Sequence, residues 1–256
     1  MSIVYRMDDS LTQFLLEFKL MTEEFWANYE TLTLEESRQM CRSGPDWQRG
    51  TRWLGGLSEA EVESLEQSWG ARFPYEYRHF LRVLGAPDRP QLHFGYGEGD
   101  SLDVSEGPSF YNWQTEATEI ARMLNWPLEG LLFDVEHNLW LDGWGPKPDT
   151  LEARLNRVTE LVAAAPRLIP IYSHRYVLDY PLPNPHHNLV LSVNQSDIIV
   201  YGYTLRNYLL TELYPFISAD TMHNLRAQRI DSLFEETVDC TSEVLSSIPF
   251  WGELIS

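Results

Sequence analysis

The apolar positions fall into two periods. In residues 10–28, SLTQFLLEFKLMTEEFWAN, the side chains of Leu11, Phe14, Leu15, Phe18 and Phe25 recur on one side of a helix. A second helix is predicted from Leu32 to Cys41, followed by a turn-rich loop, CRSGPDWQRGTRWLGG. Next comes LSEAEVESLEQSWG. Ser58 and Glu61 are spaced as a capping box, in which hydroxyl and carboxylate each satisfy a free amide of the first turn. Val62, Leu65 and Trp69 form one apolar face, and Gly70 is placed to end the helix. In ARFPYEYRHFLRVLG, Pro74 suits a helix start, where its missing amide would have had no partner. Tyr77, Phe80, Leu81 and Leu84 make the buried stripe, and Gly85 closes it.

The pattern then shortens. Between residues 91 and 146 the runs LHFGY, SFYNW, LLFDV and NLWL are separated by Gly, Asp, Glu and Asn, which predicts an antiparallel sheet with exposed loops. One helix interrupts it near 114–124, QTEATEIARML, and another is expected over 150–164. LIPIY, NLVLSV and DIIVYGY read as strands, the last two paired through Asn194, Gln195 and Ser196. TLRNYLLTELY returns to helix, and Ile230, Leu233, Phe234, Val238, Val244 and Leu245 mark a final one. With no repeat and no linker, the economical reading is a single α+β domain, a mostly antiparallel sheet flanked by helices. The core spans 46–214, with helical extensions at 1–45 and 215–256.

Charge changes the picture more than composition does. The chain has 38 acidic and 19 basic residues, a formal net charge of −19. That balance excludes nucleic acid as a partner, since binding it takes cations that displace counterions from phosphate, and it opposes anionic membrane surfaces too. From Pro90 to Pro146 there are ten acidic residues (Glu98, Asp100, Asp103, Glu106, Glu116, Glu119, Glu129, Asp134, Glu136, Asp142) and one basic, Arg122. Nearly half of the net charge lies there, as expected of a surface facing a basic partner. No apolar run is long enough for a membrane span, and MSIVYRMDDS lacks the form of a signal peptide, so a cytoplasmic location is expected. Cys41 and Cys240 are far apart and fit no metal or disulfide pattern.

Candidate chemistry centres on IPIYSHRYVLDYPLPNPHHNLVLSV, with His174, His186 and His187 among tyrosines and an arginine. Zinc sites usually place two imidazoles on one helix face; here His186 and His187 are adjacent in a proline-rich loop, so structural hydrogen bonding is expected and no metal. No GxSxG elbow occurs. FGYGEGDS has GxGxG spacing, but no helix opens after it, and Glu98 and Asp100 would repel phosphate. Any two of 38 acids could face each other across a cleft, so carboxylate pairs carry no information. No catalytic constellation emerges and no cofactor is implied.

The helix pair, together with LLFDVEHNLWLDGWGPKP, LIPIYSHRYVL and NLVLSVNQSDIIVYG, resembles the SUKH superfamily, which includes fungal cell-wall-synthesis regulators and many bacterial proteins. Leu65 and Glu66, Pro74, Tyr77, Phe80, Leu81 and Gly85 occupy the positions of its opening signature, and Gly85-Ala86 departs from the usual Gly-Gly. The resemblance covers about residues 50–212. It implies an α+β fold, no catalytic activity, and the role of a bacterial immunity protein that binds a cognate toxin, frequently a nuclease. A cationic nuclease fits the charge argument: an acidic inhibitor competes for its nucleic-acid surface and is steered to it. Tyr96, Glu98, Asp100, Asp103, Glu106 and Tyr111 are the expected partner contacts. The alternatives are a regulatory scaffold for a partner of the cell's own, and a hydrolase using His174 with Asp134, Glu136 or Asp142.

Overall fold

A computed structural model describes residues 9–29, 44–96, 102–183, 187–213 and 241–256. The fold is α+β. Helix α1 (Asp9–Asn28) buries Leu11, Phe14, Leu15 and Phe18, as its period requires. The segment predicted as helix from Leu32 to Cys41 lies outside the described residues, as do Ile230, Leu233, Phe234 and Val238. Strand β1 (Gly44–Asp46) stands where the sequence predicts only loop. Three residues are too few to show an alternation, so the strand had no signal of its own.

Helices α2 (Glu59–Trp69) and α3 (Tyr75–Val83) have the predicted ends. The Ser58 hydroxyl accepts from the Glu61 amide and the Glu61 carboxylate accepts from the Ser58 amide, while Gly70 adopts φ 57° at the C-cap. Arg78 joins the pair by contacting both Glu59 and Glu66. Trp69 is half-buried, packed edge-on to Trp113, whereas Phe80 and Leu81 are core. At the start of α3 sits a buried carboxylate, Glu76. It accepts the amides of Asn188 (2.8 Å) and Leu205 (3.0 Å), and its own amide donates to the Asn188 side chain. The first turn of a helix is a favourable place for this charge.

Strands β2 (Leu92–Tyr96) and β3 (Leu102–Glu106) complete an antiparallel sheet of order β1-β2-β3. The structure then departs from the sequence pattern. LLFDV does not form a strand; it belongs to α4 (Ala117–Glu136), which runs through Pro127. Ile120, Met123, Pro127, Leu131 and Val135 are its buried face, one period of 3.6 residues that the short apolar run concealed. NLWL is not a strand either, and of SFYNW only Phe110 forms an isolated bridge. Helix α5 (Leu151–Ala164), capped by the Thr150 hydroxyl, packs on α4.

The second sheet is β4 (Arg167–Tyr172), β5 (Arg175–Asp179), β6 (Val190–Asn194) and β7 (Asp197–Gly202), antiparallel in sequence order. β6 and β7 turn through Gln195 and Ser196, the expected hairpin. Helix α6 (Leu205–Glu212) follows, and α4 covers β4 and β6. The described part of the C-terminal region holds a short helix, α7 (Ser242–Ser246), after which Ile255 bridges Ile198 of β7. Trp26, Trp47, Trp53, Phe80 and Phe110 form an aromatic cluster in the core, with Phe80 5.9 Å from Trp53 and 5.6 Å from Phe110. Phe80→Ala empties the centre of this cluster and should cost about 3–5 kcal/mol; chemical denaturation of the variant measures it.

Candidate functional site

The chain between β3 and α4 shapes a cavity. Phe110 bridges Tyr172, the Tyr111 amide donates to the Ile171 carbonyl (3.1 Å), and the Tyr111 hydroxyl donates to the Ser173 carbonyl (2.9 Å). This strap ties the end of the small sheet to the β4–β5 turn, and a cleft of about 520 Å³ opens beside it. Its walls are Glu106 from β3, Tyr111 from the strap, Ser173 and His174 from the turn, and Glu116, Glu119, Arg122, Met123 and Trp126 from the N-terminal half of α4 and the residue preceding it.

Pro127 explains how the floor is built. Its missing amide leaves the Met123 carbonyl, four residues back, without a helix partner. The buried hydroxyl of Tyr176 on β5 donates to that carbonyl at 2.9 Å. The helix continues through its proline, and the same bond pins α4 to the sheet beneath the cleft. Burial pushes the Tyr176 phenol well above its ordinary range, so it remains a donor.

Acidic groups dominate the electrostatics. Glu116 accepts the Asn112 amide at 2.8 Å, and burial raises its carboxyl. Arg122 forms a two-pronged bond to Glu119 at 2.9 and 2.5 Å, which holds that carboxyl low, and its guanidinium lies 5.6 Å from the Trp126 ring centre. Glu106 is exposed at the rim. Three carboxylates thus face one guanidinium that is already engaged, and His174 adds no charge. Burial, then the neighbouring Arg175, lowers its imidazole from 6.5. Arginine only donates, so the contact of Arg175 with Nε2 makes that nitrogen the acceptor and puts the proton on Nδ1, facing Ser173 Oγ at 3.2 Å. Arg175 is itself held by Ser192 Oγ (2.8 Å), by Glu212 (3.4 Å) and over the Tyr201 ring (3.9 Å).

Of the predicted contacts, Glu106 and Tyr111 line the cleft, but Tyr111 is a wall rather than a free anchor, its hydroxyl being bonded within the fold. Glu98 and Asp100 lie outside the described residues; Tyr96 and Asp103 are placed on β2 and β3 by their backbones, their side chains lying outside that description. Glu116, Glu119 and Trp126 were not expected as site residues. Glu116 and Glu119 belong to the region expected as helix at 114–124, but only the packing of α4 beside the strap puts them, with Trp126, on the cleft.

No family model matches the chain, and no curated protein or solved structure matches it. The geometry therefore speaks alone. His174 does not hydrogen-bond to Asp134, Glu136 or Asp142; Asp134 instead accepts the Ser196 amide at 2.8 Å. His186 lies outside the described residues and His187 is half-buried. Among the described residues no three metal-ligating side chains gather, and no helix is long and apolar enough to cross a membrane.

Two outcomes follow from this geometry. Tyr176→Phe leaves the buried Met123 carbonyl unpaired and should cost about 1–3 kcal/mol in denaturation. His174, whose folded value is depressed, contributes stability that is present above pH 6.5 and lost as pH falls through the folded value. A pH series of thermal melts should show this loss for the native protein and a flatter profile for His174→Gln.

Proposed function

We propose that the protein is a non-enzymatic binding protein that neutralises a basic protein partner, acting as an immunity protein against a toxin, with a cationic nuclease as the partner of best fit. The observation that carries this is the cleft wall: Glu106, Glu116 and Glu119 against a single guanidinium already bound to one of them. A surface so charged, on a chain of net charge −19, attracts a cationic partner at long range. A nuclease must present cations to hold its substrate, and an acidic cleft competes for those groups. The resemblance of Leu65, Glu66, Pro74, Tyr77, Phe80, Leu81 and Gly85 to the SUKH signature supports the immunity role, and the helix pair α2–α3, with α2 capped by Ser58 and Gly70, agrees with that resemblance. Such a role places the protein in the cytoplasm, where the toxin would act. Neither a cofactor nor a metal enters it.

Affinity purification from the native host, followed by co-expression, tests the proposal. A basic protein should be recovered that arrests growth when expressed alone and is harmless alongside this chain. An acidic partner, or one whose toxicity persists on co-expression, would overturn it. With the partner in hand, association should be faster at low salt by about 10–1000-fold than without steering. Replacing Glu106, Glu116 and Glu119 together by Gln should slow association and flatten its dependence on salt, as measured by stopped-flow mixing.

A further inference from the structure

Sheets expose rows of unpaired amides and carbonyls along their edges, and proteins generally cover them. Here each outer strand of the larger sheet is met by another segment at one position. Phe110 and Tyr111 bond to β4, while Ile255 bridges Ile198 of β7 and the Ser256 amide donates to the Ile198 carbonyl at 3.0 Å. Strand β3 differs. It pairs with β2 on one side, and among the described residues no strand lies on the other.

The register shows which groups point outward. Gln91 and Gly107 continue the ladder, and the Gly107 amide donates to the Gln91 carbonyl at 2.7 Å. Bonded and non-bonded pairs alternate along an antiparallel ladder, so Ser105 and Asp103 also turn their backbone groups to β2. The amides and carbonyls of Leu102, Val104 and Glu106 therefore point away from β2. The side chains of Val104 and Glu106 share a face of the sheet, Val104 is 47% exposed, and Glu106 continues into the cleft wall.

We propose that the partner docks by adding an extended, basic segment to the open edge of β3, its alternate side chains reaching the cleft beside Glu106, Glu116 and Glu119. This rests on the reading of the protein as a binder of a basic partner and specifies how it binds. Main-chain bonds supply affinity in such strand addition, and alternate side chains supply specificity. Charge selects the occupant. A second copy of this chain would bring another acidic strand, with its own Glu106, against this edge, and like charges opposite one another destabilise a strand pair. A lysine- or arginine-bearing strand reverses that sign.

The probe is a short peptide of alternating lysine and valine, titrated against the full chain while amide hydrogen exchange is followed. The peptide should slow exchange at the Val104 and Glu106 amides, and a version N-methylated on alternate residues should bind about tenfold more weakly through lost backbone bonds. A glutamate–valine peptide should not bind. Val104→Pro removes an outward amide at an edge position that tolerates proline, so it should abolish binding without unfolding the sheet; the N-methylated peptide tests the same bonds on the native chain. Equal affinity for the N-methylated peptide, with spectral changes at Glu116 and Glu119 but unchanged exchange at Val104, would overturn strand addition and leave the acidic cleft as a simple cation site. A lysine–valine peptide that binds nowhere overturns this inference, and the proposed function is then decided by co-expression alone. A concentration-dependent dimer in sedimentation, lost in Val104→Pro, would show that a second copy occupies the edge.

Discussion

The strap formed by Phe110 and Tyr111 is the constraint on which the candidate site depends. Phe110 is held by the Tyr172 bridge and by packing 5.2 Å from the Trp53 ring, so it joins the aromatic core while its backbone joins the sheet. Tyr111 then fixes the β4–β5 turn through its amide and its hydroxyl. Glu106 before the strap and Glu116 after it line one cleft with His174. Burial of an aromatic ring thus decides where exposed carboxylates stand.

A second layer keeps that arrangement rigid. The Tyr176 hydroxyl occupies the carbonyl that Pro127 vacates, fixing the height of α4 over the sheet. Glu76 gathers the amides of Asn188 and Leu205, so the starts of β6 and α6 are set by the same helix that carries Phe80. The buried Tyr176 hydroxyl and Glu76 carboxylate are hydrogen-bonded where they carry the architecture. The cleft is negative because its cation is internally paired, not because cations are absent.

Much of the frame was legible in the sequence. Ser58, Glu61 and Gly70 mark their helix because capping chemistry is local, and the β6–β7 hairpin is announced by two apolar runs around a polar turn. The second half of α4 reads as a strand because LLFDV is a short apolar run, while Tyr176, distant in sequence, takes the carbonyl that Pro127 leaves. Glu116 and Glu119 already fall in or beside the helix expected at 114–124; that they share a wall with Glu106 and His174 depends on tertiary packing. The acidic segment between Pro90 and Pro146 contains the three carboxylates that line the cleft, and their convergence comes from tertiary contacts. The network around Arg175 was equally invisible, since Ser192, Tyr201 and Glu212 reach it from three other elements.

The central claim is that one face of the molecule, running from β3 across the cleft to the first turns of α4, meets a basic partner. Hydrogen exchange measured on the protein alone and in complex with the partner recovered from its host tests that claim most directly. Slowed exchange concentrated in residues 102–123 and at Ser173 and His174, with α1 and α5 unchanged, is the result this account requires. Protection confined to α1, α5 or the C-terminal segment, with the cleft exchanging as before, would contradict it.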